Sequence, residues 1–366
     1  MERFYRSIMK VALIVPPFIT VPPECYGGTE LFAAHLAEGL RARGHWPVVY
    51  TVGASRVDCE IRWRAPRGRW PIESALESSL EDLEHSSWAC HDAARDCDVI
   101  HFNNAPGLML TRFVEQPIVY TLHHPQEPAL SRFYRHFPRV RYVAISHDQA
   151  GREDLPGLKT IHHGLRLNQY RLGTGRREYL AFIGRIAPIK GTHTAIEVAR
   201  RTGLPLKIAG EIQPMYRDYW ESEIRPHVDG RQIEYVGEVD AAAKSDLLGG
   251  ARALLFPIAW EEPFGLVMIE AMACGAPVLA FARGSAREVV ADGISGWLCR
   301  DSADMARRAL EAPVAAASCR QHVVDNFSLE RMVDQYLEVY QRRGRFRGEG
   351  RRRGLELAKI APPLAS

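Results

Sequence analysis

Short apolar runs alternate with longer amphipathic stretches along this chain, and that alternation sets the first expectation. Val11-Ala12-Leu13-Ile14-Val15 reads as a buried strand. It is followed by a proline-rich loop (Pro16, Pro17, Pro22, Pro23) that ends at Gly27-Gly28. The segment Glu30 to Arg43 carries Leu31, Phe32, Leu36 and Leu40 on one face, with Thr29 as the expected N-cap and Gly44 closing the helix. Val48 to Val52, Asp98 to Phe102 and Ile118 to Leu122 supply further strands, and Ile72 to Ala94 reads as mostly helical.

The pattern then starts again. Tyr179-Leu180-Ala181-Phe182-Ile183 leads into a loop with Gly184 and Gly191 and a helix from Thr192 to Arg201. Leu206 to Ala209, Ile233 to Val236, Leu254 to Phe256 and Val278 to Phe281 continue the strands, and a last amphipathic helix spans roughly Ser328 to Arg342. Strands alternating with helices predict parallel sheets covered on both faces. The expected fold is therefore α/β, with two Rossmann-like doubly wound domains facing a cleft. The divisions expected are an N-terminal domain over 1–172, a second domain over 173–325, a terminal helix over 326–342 and a basic tail over 343–366.

Composition narrows the class. The chain has 366 residues, natural for two domains, with 46% hydrophobic and 25% charged residues. Every long apolar run is broken before it reaches membrane-spanning length, and the polar N-terminus lacks the apolar core of a secretory signal. The seven cysteines lack paired spacing and point to free thiols in a reducing cytoplasm. Net charge is +3, and residues 342–366 hold seven Arg, one Lys and two Glu (8 − 2 = +6), so the body carries −3. A body of that sign is not expected to bind nucleic acid. The tail is either a solvated terminus or a basic segment that attracts anionic lipid, as a weak contact to a membrane face, or nucleic acid.

The densest chemistry lies between Glu261 and Val278. After the strand at Leu254 to Phe256, Pro263 and Gly265 mark a tight loop, Leu266 to Ala273 reads as a helix ended by Gly275, and the next strand follows. Such a βαβ unit aims unpaired helix N–H groups at the C-terminal edge of a parallel sheet, where phosphates bind. Glu270, about one and a half turns into that helix, is too far along to cap it and suits neutral hydroxyls such as a ribose diol. Glu262 lies on the loop, where it could meet a sugar's hydroxyls. On spacing alone, both acids could equally serve only to favour the helix dipole, at about 0.3–1 kcal/mol each.

Gly184-Arg185-Ile186-Ala187-Pro188-Ile189-Lys190-Gly191 sets two cations five residues apart between a strand end and a helix start. That spacing suits a diphosphate: Arg forks onto two oxygens while Lys acts as a point charge. Gly27 and Gly28 allow close backbone approach by a ligand, or simply make a turn. His123-His124 and His162-His163 form two adjacent pairs, and a metal reading of them is rejected because neighbouring side chains diverge and no Asp-any-Asp motif accompanies them.

The Glu262/Glu270 pair, with its Glu-Pro-Phe-Gly entry and Glu-Ala-Met-Ala-Cys-Gly exit, resembles the acidic signature of retaining glycosyltransferases of family 4. Gly184-Arg185 with Lys190-Gly191, the glycine pair and His123 match the same family, and further matches cover most of residues 9–340, more tightly in the second half. His163 and Arg166 depart from the family's usual Asn-Gly-Val-Asp.

The resemblance implies a GT-B fold and transfer of a hexose from a nucleoside-diphosphate sugar, UDP first, to a hydroxyl acceptor with retained configuration. No metal or other cofactor is expected. Arg185 and Lys190 would stabilise the leaving diphosphate, Glu262 and His123 would serve the reacting sugar, and Glu270 the ribose. Phe264, Gly265, Leu266, Gly27, Gly28, Gly184 and Val236 would line the donor site. The acceptor is expected to be a soluble sugar, a secondary metabolite or a lipid-linked saccharide, the last at the inner membrane face. The alternatives are an epimerase or phosphorylase on the same fold, and a non-catalytic nucleotide-sugar binder. An epimerase would turn over without acceptor, and a binder would not turn over at all.

Overall fold

The computed structural model describes residues 8–173, 176–311 and 314–341. The basic tail and its membrane contact lie outside the described residues, as does Arg342 of the terminal helix.

Two wholly parallel sheets form the scaffold. The first contains β1 (Lys10–Ile14), β2 (Trp46–Tyr50), β3 (Glu60–Arg62), β4 (Val99–Phe102), β5 (Ile118–Leu122), β6 (Arg141–Ala144) and β7 (Lys159–Thr160), in the order β3-β2-β1-β4-β5-β6-β7. The second contains β8 (Tyr179–Ile183), β9 (Leu206–Ala209), β10 (Ile233–Gly237), β11 (Ala251–Phe256), β12 (Val278–Phe281) and β13 (Gly296–Cys299), in the order β10-β9-β8-β11-β12-β13. Each sheet reverses its winding beside its own first strand, β1 against β4 and β8 against β11. In doubly wound sheets a crevice opens at such a point, beyond the strand C-termini. Gly27-Gly28 follow β1, the Gly184–Gly191 loop follows β8 and the Glu262 loop follows β11, while His123 follows β5, next to β4.

The central strands are buried almost throughout, as parallel strands covered on both faces must be, while the edge strands β3, β7 and β10 are partly open to solvent. The terminal helix Leu329–Gln341 packs back on the first domain. A Cβ on Gly39, in the helix Gly28–Ala42, would sit 2.3 Å from Val333 Cγ2. Below it a buried polar chain joins the helix to the first sheet: Tyr340 Oη to His101 Nδ1 at 2.8 Å, His101 Nε2 to Thr121 Oγ1 at 2.8 Å and Thr121 Oγ1 to Tyr336 Oη at 2.9 Å.

One local expectation is corrected. Thr29 does not cap the first helix, which begins at Gly28 with Gly27 in the cap position at φ +147° and no side-chain cap bond. A Cβ on Gly27 would meet Glu30 Oε2 and Pro23 Cβ at 2.8 Å, so the loop closes there on backbone alone. The strands β3, β6, β7 and β13 went unread because they are short and hold Lys, Arg, Glu, Thr, Gly or Trp rather than an unbroken aliphatic run. The seven cysteines are free, and no described helix is long and apolar enough to cross a membrane.

Candidate active site

In the second domain the site is built on the ends of β8 and β11, whose loops touch. Gly191, at φ +77°, ends the β8 loop where a Cβ would lie 2.0 Å from the Pro257 carbonyl oxygen, and Ala259 N donates to Ile189 O at 2.8 Å. That contact sets Lys190 beside the β11 loop. Lys190 Nζ lies 2.5 Å from Glu262 Oε2 and 4.7 Å from the centre of the Trp260 ring. Trp260 Nε1 donates to the same Glu262 oxygen at 2.9 Å.

The Glu262 loop is clamped from behind. Ser285 N donates to Glu262 O at 3.0 Å, Ser285 Oγ to Phe264 O at 2.7 Å and Gly284 N to Glu261 Oε2 at 2.6 Å. Gly265, at φ +75°, then turns the chain into the helix Leu266–Ala273. Met268 N donates to the Gly265 carbonyl at 2.9 Å, and the N–H groups of Leu266 and Val267 at the helix start suit an anion.

Glu270 is buried on that helix, and its Oε1 accepts from Lys244 Nζ at 2.6 Å and Tyr170 Oη at 3.0 Å. Sequence reading gave Glu270 no protein partner. Lys244 and Tyr170 come from a different helix and a loop, joined to it only by the fold. Arg185 approaches Gln213 Oε1 at 3.3 Å and sits over the Tyr216 ring at 5.7 Å, while its buried Nε has no partner. A buried guanidinium donor without an acceptor fits a site that receives an anionic oxygen. Gly184 adjoins the β9 end closely, since a Cβ on Gly210 would lie 1.8 Å from Gly184 O. Val236 is part of β10, at the sheet edge, in partial contact with solvent.

The first domain meets these groups from across the cleft. A Cβ on Gly28 would lie 3.7 Å from Leu266 Cδ1. His123 follows β5 and stacks on His163 with ring centres 5.9 Å apart, and His163 lies edge-on to Phe264 at 4.9 Å. Burial, then the His163, His124 and His101 rings, holds His123 well below the usual imidazole range, so it is neutral at pH 7. Its tautomer follows from Asn103. That amide's Nδ2 donates to Ile14 O at 3.1 Å, so its Oδ1 accepts from His123 Nε2–H at 2.9 Å, leaving Nδ1 as an acceptor. His124 is exposed.

Tyr26 and Trp70 were not anticipated. Their rings stack at 5.4 Å and 17°, and Trp70 Nε1 donates across the cleft to Glu211 Oε1 at 2.8 Å. The Tyr26 hydroxyl is pushed up by burial, with the Arg185 charge opposing. Both lie in loops without hydrophobic periodicity, which give no sequence signal. Glu30 was also missed: it is buried in the first turn of the first helix, and burial raises its carboxyl to about 7.

Comparison with known proteins bears on this cleft. The family described as "Glycosyl transferases group 1" matches residues 171–318, and that described as "Glycosyltransferase Family 4" matches 26–154. The glycogen synthase of Mycobacterium tuberculosis is 30% identical over 388 residues, covering 87% of this chain and 92% of that protein. The chain belongs to glycosyltransferase family 4. A phosphatidyl-myo-inositol mannosyltransferase of Mycobacterium leprae is 28% identical to this glycosyltransferase over 333 residues, covering 81% of it and 86% of the relative. The structure of Anabaena Alr3699/HepE in complex with UDP and glucose superposes with a TM-score of 0.72 at 18% identity, over 90% of this chain and 99% of that one, and shares the GT-B fold.

Proposed function

We propose that this glycosyltransferase moves a hexose from a nucleoside-diphosphate sugar, a UDP-sugar first, to an acceptor hydroxyl, with retained anomeric configuration and without a divalent metal. The observation that carries the reading is the Lys190–Glu262 pair at 2.5 Å, set at the mouth of the helix Leu266–Ala273. A diphosphate entering there would compete with Glu262 for the Lys190 charge. Lys190 would pass to the phosphate, and Glu262, still held by Trp260, would be free to accept from the sugar's hydroxyls. Donor binding and readiness of Glu262 would thus be one event.

Cleavage of the sugar–phosphate bond leaves charge on the diphosphate, and preorganised cations and N–H donors lower that barrier. Arg185, Lys190 and the helix N-terminus supply them in this reading. Glu270, aligned by Lys244 and Tyr170, would take the ribose diol. His123 Nδ1 would accept from a hydroxyl of the reacting sugar on the opposite wall. Support for UDP comes from the HepE complex with UDP and glucose. The stacked Tyr26 and Trp70 rings beside Arg185 offer an apolar face to an acceptor sugar. The acceptor classes remain a soluble sugar, a secondary metabolite or a lipid-linked saccharide.

The test is incubation with UDP-glucose, UDP-N-acetylglucosamine and GDP-mannose, an acceptor panel and EDTA, with product anomers read by NMR. Acceptor-dependent release of nucleoside diphosphate and an α-linked product from an α-donor are expected. Loss of activity in EDTA, or a β-linked product, would contradict the reading.

A further inference from the structure

The two halves of the molecule are joined at a second place, away from the donor loops, by a carboxylate set among imidazoles. Glu288, on the short helix Ala286–Val289 of the second domain, accepts from His147 N at 2.8 Å and Asp148 N at 3.0 Å, both at the start of the helix His147–Arg152 that follows β6. His162 Nε2, just after β7, lies 2.8 Å from Glu288 Oε2. The His147 and His162 rings stand edge to face with centres 5.3 Å apart. One ligand atom from each of His147, His162 and Glu288 lies within 4.8 Å of the others.

We propose that His147, His162 and Glu288 form a binding site for a zinc-class divalent cation that clamps the two domains together. Two imidazoles and one carboxylate are a donor set suited to Zn²⁺, leaving one position for water. The spacing is close to what the metal needs: bonds of about 2.0–2.1 Å in a tetrahedral arrangement place neighbouring ligand atoms somewhat more than 3 Å apart. The His162–Glu288 contact already approximates one such edge, and exposed His147, whose ligand atom lies within 4.8 Å of the other two, would supply the third ligand. The carboxylate is preoriented by two backbone amides, as the outer contacts of metal ligands commonly are. The rings of His162 and Phe327, 5.6 Å apart, and of His162 and Phe264, 5.9 Å apart, fix the second imidazole.

Placement gives such an ion a consequence. Its ligands come from both domains, so it stabilises the arrangement in which they converge. The helix that carries Glu288 begins beside Ser285, whose N–H holds the Glu262 carbonyl. The site takes no part in sugar transfer and stands independently of that reading.

The experiment is titration of the metal-stripped full chain with Zn²⁺ against a chromogenic chelator, with thermal unfolding in parallel, for wild type, His147→Ala and His162→Ala. Expected are one site per chain, a rise of several degrees in Tm with Zn²⁺, and affinity at least about tenfold weaker in each variant, the loss that removal of even an outer-shell partner brings. His147→Ala removes an exposed ring and is expected to keep the metal-free Tm. Equal Zn²⁺ affinity in wild type and both variants, or no binding by wild type, would overturn the proposal.

Discussion

Glu30 shows how one buried side chain makes stability depend on pH. Its carboxyl is raised by burial from 4.5 to about 7 in the folded state. Below 4.5 both states hold the proton and folding costs nothing there. Between 4.5 and 7 the unfolded chain ionises while the folded one cannot, so stability falls as pH rises through that window. Glu30→Gln should therefore be more stable than wild type at pH 8 by on the order of 3 kcal/mol, with the gap closing toward pH 4.5. Urea unfolding at pH 4.5 and pH 8 checks this, and an equal difference at both values would contradict it. At the donor site, Arg185→Ala should lower kcat by about 10²–10³-fold with a smaller change in donor affinity. A loss confined to KM would show that Arg185 binds the ground state alone. Glu262→Gln should also lower kcat while leaving the fold intact, since Trp260 can still donate to the amide oxygen; steady-state kinetics with circular dichroism separate the two.

At the scale of elements, the seam between the helices Gly28–Ala42 and Leu329–Gln341 gives a prediction against propensity. Replacing a mid-helix glycine by alanine usually stabilises by about 0.8–1.0 kcal/mol. Gly39→Ala would instead drive a methyl to 2.3 Å from Val333, and overpacking of this kind costs about 1–3 kcal/mol. A lowered Tm in Gly39→Ala, recovered in the double variant with Val333→Ala, is expected; an unchanged or raised Tm in the single variant would contradict the packing argument. The same scale shows what a sequence can disclose. Strands with a near-continuous run of aliphatic and aromatic residues, such as Tyr179–Ile183 and Ile118–Leu122, and the helix Leu266–Ala273 bounded by two glycines, were legible to the residue. Lys159–Thr160 and Glu60–Arg62 were not, because a short edge strand buries too little to impose a pattern. The donor loops were legible because their chemistry is contiguous in the chain. The partners that aim them, Lys244 and Tyr170 on Glu270 and Asn103 on His123, lie 26, 100 and 20 residues away and become partners only through folding.

Over the whole molecule, two parallel sheets turn their strand ends toward one cleft, and polar contacts bridge it. Trp70 reaches Glu211, Arg152 reaches Glu261 at 3.0 Å, and Glu288 receives the two amides and His162. Burial alone would raise the Glu288 carboxyl, but hydrogen bonds from His162, Asp148 and His147 outweigh it and hold the group below its usual range. That contribution is present above pH 4.5 and is lost as pH falls through the folded value, the opposite sign to Glu30. Charge placement agrees with the division of labour proposed for the two halves: cations and helix N–H groups for the donor phosphates in the second, neutral His123 and the aromatic pair for sugars in the first. The measurement that tests this most directly is thermal unfolding of wild type and Arg185→Ala with UDP, GDP, ADP and their glucose, mannose and N-acetylglucosamine conjugates, in EDTA and then in Mg²⁺. Ligand at 100 times its dissociation constant should add about 2.7 kcal/mol to stability. Expected is a rise for one nucleotide series in wild type, unchanged by Mg²⁺ and reduced in Arg185→Ala; no rise with any nucleotide, or a rise that appears only with Mg²⁺, would contradict a metal-independent donor site in the second domain.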